Sequence, residues 1–313
     1  MQYPRLVLSI GLVLLAGCDG TAASTGAGGA GGTGGAGGTG GAPAANEFAF
    51  DTDEYTVESG QEIEYMCFTT HVPEGDKLYV AQVEPIYGKA IHHLGVYQVL
   101  NPEEPEGTFN CPELTRDNWL PMYGGGIESG TLTMPEGAAL IVPGGAQVLV
   151  QLHLLNTTSE TVKDKARVIL RFSDATDPVR AGIFGFDNRD LNIPALGNDV
   201  VQEQTCSPIG RDMDVFAVFG HMHQRGRKIE VSRGATPGEE VLYTATWEFQ
   251  DQPTVPANFH VGKDDTVHVR CWYDNPDSFD VHYGEKTENE MCSFVFYYTP
   301  FTSLFGCLKT PPN

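Results

Sequence analysis

Val148-Leu149-Val150-Gln151-Leu152-His153-Leu154-Leu155 follows the turn signal Pro143-Gly144-Gly145 and gives way to the polar Asn156. The run has strand length, is rich in valine and leucine, and is bounded by turn residues, which predicts a buried β-strand. Comparable runs recur along the chain, among them Leu78 to Val83, Ala166 to Phe172, Val215 to Phe219, Thr266 to Trp272 and Ser293 to Tyr298. Between them stand Pro73-Glu74-Gly75-Asp76, Pro135-Glu136-Gly137, Pro237-Gly238 and Asp274-Asn275-Pro276-Asp277. No stretch sustains a helical apolar period. Short strands with frequent turns predict an all-β chain, built as a sandwich or barrel. Residues 46–313 suit two domains of ordinary size. The polar break Ser173-Asp174-Ala175-Thr176-Asp177-Pro178 predicts a boundary near residue 177, giving an N-terminal domain over 47–176 and a C-terminal one over 177–313.

The N-terminus predicts export. Arg5 precedes an apolar run from Leu6 to Leu15, too short to span a bilayer and suited to a signal-peptide core. Leu15-Ala16-Gly17-Cys18 resembles a bacterial lipobox, so residues 1–17 read as a lipoprotein signal peptide and Cys18 as the lipidated residue. The implied location is a bacterial membrane, on its periplasmic or extracellular side. Residues 18–46 continue as a Gly-, Ala- and Thr-rich tether, which has too little apolar surface to fold. A net charge of −22 argues against nucleic acid, whose phosphates would be repelled. Apart from Cys18, the cysteines are Cys67, Cys111, Cys206, Cys271, Cys292 and Cys307. An even number in an exported chain reads as disulfides, with fifteen pairings open.

Four short motifs carry the chemistry: Ile91-His92-His93-Leu94, Val150-Gln151-Leu152-His153, Gly220-His221-Met222-His223 and Glu290-Met291-Cys292. On a strand, His221 and His223 point to one face and can chelate one ion. The neighbours His92 and His93 face opposite ways on a regular strand, so they share an ion only at a strand end or a bulge. His153 shares its strand face with Gln151, which marks a polar spot on an apolar strand. Taken singly, His153 reads as a hydrogen-bonded core residue and Met291 as core filler. Together, three imidazoles and a set of two imidazoles plus a thioether suit copper cycling between Cu(II) and Cu(I).

The order His-His, Gln-x-His, His-x-His, Glu-Met-Cys resembles the copper type II, ascorbate-dependent monooxygenases, over roughly residues 47–307. Its peptidylglycine α-hydroxylating and dopamine β-type members imply two consecutive antiparallel, jelly-roll-like β-sandwiches. Each would present one copper to a solvent-filled cleft between them. The resemblance gives His92, His93 and His153 to an electron-transfer copper, and His221, His223 and Met291 to the copper that binds O2. It implies two coppers per chain, with ascorbate or another reductant as co-substrate. It also implies the pairs Cys67–Cys111, Cys206–Cys307 and Cys271–Cys292. Gln151 is a candidate to support the first ligand set.

The chain departs from the peptide-amidating members around the substrate. Phe219 stands where they carry an arginine that clamps a carboxylate, and Ser293 and Val295 stand where they carry Asn and Tyr. These three residues are the pocket candidates, and they predict a small, apolar or aromatic substrate rather than a glycine-extended peptide. A non-catalytic copper-binding or storage lipoprotein is the alternative. A zinc hydrolase would leave the second set unexplained. The expected partners are the small-molecule substrate, O2 and, through the lipid, a membrane.

Overall fold

The apolar run folds as the strand Gln147–Leu155, at the centre of a five-stranded antiparallel sheet. The protein is described by a computed structural model covering residues 46–127, 129–303 and 305–311. The expected signal peptide, Cys18 and the tether up to residue 45 lie outside the described residues. The sheet runs in the order Gly107–Asn110, Glu62–His71, Gln147–Leu155, Ile91–Val99, Trp119–Gly126. Along the central strand Val148, Val150, Leu152 and Leu154 enter an apolar core, leaving Leu149, Gln151 and His153 on the other face. A second sheet, containing Glu47–Asp51, Arg167–Phe172, Leu78–Ile86 and Ala138–Val142, covers that core through Val80, Val83, Val168 and Leu170.

The chain leaves this sandwich after Val179–Arg180, which pairs parallel with Ala138–Val142, and enters the next with Gly182–Asn188. The second sandwich has one sheet in the order Thr254–Val261, Met213–His221, Ser293–Thr299, Gly182–Asn188, Phe305–Lys309. Its other sheet is ordered Val200–Cys206, Val267–Tyr273, Gly226–Arg233, Glu240–Thr246. A core rich in phenylalanine, including Phe184, Phe186, Phe294 and Phe296, lies within this half. Among the described residues there is no α-helix. The fold class is therefore all-β, in largely antiparallel sheets consistent with sandwiches; the parallel strand pairs are Val179–Arg180 with Ala138–Val142 and Gly182–Asn188 with Phe305–Lys309.

Disulfides join Cys67 to Cys111, Cys206 to Cys307 and Cys271 to Cys292, the pairing that the resemblance implies. The first lies in the N-terminal half, and the other two in the C-terminal half.

The two halves meet along Trp119–Gly126. Gly124 donates its N–H to the Tyr297 hydroxyl, and its carbonyl accepts from Tyr297 and from Thr254 Oγ1. Gly126 donates to the Gln252 carbonyl. A Cβ on Gly126 would stand 2.8 Å from the Gln252 Cβ, so this approach requires glycine.

Candidate metal centre

His93 and His153 are directly opposed across antiparallel strands, which brings their side chains together. On the same ladder Ile91 pairs with Leu154, so His92 is an extra residue with no cross-strand partner. That bulge resolves the problem of adjacent histidines, because it lets His92 and His93 turn toward one point. One ring nitrogen from each of His92, His93 and His153 lies within 4.8 Å of the others.

His221 is the last residue of Met213–His221, and His223 lies in the turn beyond it. The two are brought together by that turn rather than by a continuous strand. Gly226 donates to the His223 carbonyl, and so does Trp247 Nε1. The buried Glu290 carboxylate accepts the amides of His223 and Arg225. The His221 and His223 rings end 5.1 Å apart. Glu290 ties this turn to its neighbour Met291, which is fully buried. Met122, Met134, Met213 and Met222 belong to the apolar cores, whereas Met291 belongs to none of them. Its burial is therefore not explained as core filling.

The two sets approach closely: the His93 and His221 rings are 4.9 Å apart, beside a cavity lined by residues of both halves.

Hydrogen-bond partners select the tautomers. His92 Nε2 donates to the Phe249 carbonyl at 3.1 Å, leaving Nδ1 as the lone pair. His153 Nε2 donates to the Glu62 carboxylate at 2.8 Å, which turns its Nδ1 to within 2.8 Å of His93 Nε2. Gln252 gives its amide N–H to the Phe249 carbonyl, so its oxygen faces His221 Nδ1 at 2.7 Å, and His221 Nε2 carries the lone pair. His223 Nδ1 donates to the Asn289 carbonyl at 3.2 Å. His92 Nδ1 and His223 Nε2 are then buried lone pairs with no hydrogen-bond partner. A buried acceptor left unpaired costs about 1–3 kcal/mol, and a metal ion would relieve it.

Electrostatics keep the imidazoles in the ligand form. Burial pushes His92 and His223 down to about 4, with the neighbouring His153 adding to the effect, and holds His93 and His221 well below the ordinary histidine range. Burial alone would raise Glu62, but hydrogen bonds from His153 and Thr287 outweigh it and bring its carboxyl to about 2. Glu62 is thus an anion that orients His153 and at the same time accepts the Thr287 amide from the other half of the chain at 3.0 Å. Neutral imidazoles with bare nitrogens and a buried thioether fit copper, whose reduced state takes soft ligands.

A cavity of about 610 Å³ opens beside the histidines, within the range of small-molecule sites. His93 and His221, one from each set, both line it, together with Gln151, Phe219, Ser293 and Val295. Every pocket candidate from the sequence therefore faces it. Gln151 is held there by donating to the Glu113 carbonyl and accepting from Tyr97.

Glu62, Gln252, Thr287 and the Phe249 and Asn289 carbonyls have no sequence signal, since none carries a motif spacing. Glu290 stands within a quoted motif, but only the fold reveals its role.

Residues 180–313 match the sequence model described as "Copper type II ascorbate-dependent monooxygenase, C-terminal domain". Over these residues the chain is similar to that family. The match contains His221, His223 and Met291. Among solved structures, the chain is similar to the major capsid protein P2 from Bacteriophage PM2, at 9% identity over 80% of this chain and 96% of that one, with a TM-score of 0.34. It is also similar to the STIV MCP, at 7% identity over 80% and 95%, with a TM-score of 0.37. Likenesses this slight bear on neither fold nor function.

Proposed function

We propose that the chain is a copper-dependent monooxygenase that hydroxylates a C–H bond of a small, apolar or aromatic substrate. One oxygen atom of O2 enters the C–H bond. The other leaves as water, with two electrons and two protons from an external reductant such as ascorbate. The observation that carries this reading is the single cavity lined by an imidazole of each ligand set.

His92, His93 and His153 would hold one copper, and His221, His223 and Met291 the other. Copper at these sets would supply the one-electron steps and the activation of O2. The protein's own groups do the positioning. Glu62, the Phe249 carbonyl, Gln252 and the Asn289 carbonyl each fix one ring nitrogen as a donor and leave the other for the metal. Phe219 and Val295 present apolar surface beside His221 and exclude water from the reacting bond. Where the peptide-amidating members place a cation, Phe219 offers none, so a carboxylate substrate has no clamp at this position.

The test is ascorbate-dependent oxygen uptake by the copper-loaded chain, measured with a panel of alkylaromatic compounds. Uptake matched by an equal amount of hydroxylated product supports the reading. Uptake without product, or none with any reductant, would leave a copper binder. The proposal also keeps the chain exported and lipid-anchored at Cys18. Palmitate labelling that disappears in Cys18→Ser checks this, and equal labelling of the variant refutes it.

A further inference from the structure

The cavity face of the second half is ruled into rows by its strand register. Asp187, Ser293 and His221 stand in one row across Gly182–Asn188, Ser293–Thr299 and Met213–His221. Gly185, Val295 and Phe219 form the next row, and all six residues line the cavity.

Gly185 differs from Gly95 and Gly125, which also line the cavity. A Cβ on Gly95 would meet the Tyr97 ring at 2.7 Å, and one on Gly125 would meet Ser129 at 2.4 Å, so packing demands those two. A Cβ on Gly185 would have no atom within 4 Å, and its φ is not in the left-handed region. Glycine weakens a strand interior, and here neither packing nor backbone conformation asks for it. Its effect is a bay in the cavity wall beside Val295.

The polar end of the bay is charge-balanced. Asp187 accepts from Ser293 Oγ at 2.9 Å and from Arg189 Nε at 2.6 Å. Arg116, the other arginine lining the cavity, is paired with Glu104 and Glu113. An anionic substrate would have to displace a carboxylate from either arginine, and a cationic one would meet Arg189 beside Asp187. A hydroxyl, which both donates and accepts, fits a carboxylate and a guanidinium side by side. Two strand spacings, about 4.8 Å each, separate Asp187 from His221 across Ser293, room for a six-membered ring and one substituent.

We propose that the Gly185 bay, closed by Asp187, Ser293 and Arg189, is the substrate subsite and takes a small ring compound by an uncharged hydroxyl. The ring lies over Val295 and Phe219, with its opposite end toward His221. That this end is oxidised rests on the monooxygenase reading, whereas the binding does not.

The test is calorimetric titration of the full chain with 4-methylphenol, 4-methylbenzoate and 4-methylbenzylamine. The expected result is that the phenol binds and both ions bind at least about tenfold more weakly, the scale set by one unmatched buried polar contact. Gly185→Val should weaken the phenol about tenfold or more while melting temperature and copper content hold. Asp187→Ala should weaken the phenol and strengthen the benzoate by freeing Arg189, a switch that a merely structural role would not produce. Equal binding of the phenol by Gly185→Val, preference for either ion by the unmodified chain, or failure of all three compounds to bind would overturn the subsite. Copper content separates the two readings. Phenol binding without copper would leave the subsite standing and remove the monooxygenase, and two coppers with an indifferent Gly185→Val would do the reverse.

Discussion

Glu62 is the residue through which the first ligand set is both oriented and tied to the second half. It accepts His153 Nε2 on one side and the Thr287 amide and hydroxyl on the other. Partners of this kind to a metal-binding histidine are commonly worth 10–100-fold in affinity. Glu62→Ala should therefore lower copper affinity at the first set by about that factor and leave the second set nearly unchanged, as read by chelator competition. Equal loss at both sets would show general unfolding instead. The depressed histidines make a second prediction. His92 and His223 fall from 6.5 to about 4, so the unfolded chain binds their protons more readily than the folded one. The stability of the metal-free chain should be full above about pH 6.5 and decline as pH falls toward 4. A flat urea midpoint over that range would contradict the burial argument.

At the scale of elements, two devices set the geometry: the bulge at His92 and the glycine-lined edge Gly124–Gly126. Gly126→Val forces a side chain into Gln252, and overpacking of this kind costs about 1–3 kcal/mol. Because Gln252 also holds His221, the variant should lose stability in denaturant titration and weaken copper at the second set as well. The strand pattern and the histidine motifs were legible in the sequence. The need for a bulge or strand end at His92-His93 was legible too, since alternation forbids adjacent residues from sharing a face. The turn that carries His223 past its strand was not, because it depends on Glu290, which lies 67 residues away. Nor were Gln252 and the Phe249 carbonyl, since a glutamine in a polar loop and a backbone oxygen carry no pattern that periodicity can detect.

At the scale of the molecule, the two halves bring five imidazoles together, and two of them, His93 and His221, line one cavity. The sequence pointed to two ligand sets, but it could not show that their rings approach to 4.9 Å, because that contact depends on docking rather than on either motif. The Cys271–Cys292 disulfide closes a loop of 21 residues next to Met291, and a loop of that size is worth about 3 kcal/mol in the chain-entropy model. Cys271→Ser with Cys292→Ser should destabilise the chain by about that amount and loosen the second set before the first. The most direct test of the proposal that His92, His93 and His153 hold one copper and His221, His223 and Met291 another is copper per chain after dialysis against a weak chelator. Two coppers are expected in the unmodified chain, falling to one in His153→Ala and to one in Met291→Ala. One copper in the unmodified chain, or a single substitution that removes all of it, would rule out two separate sites.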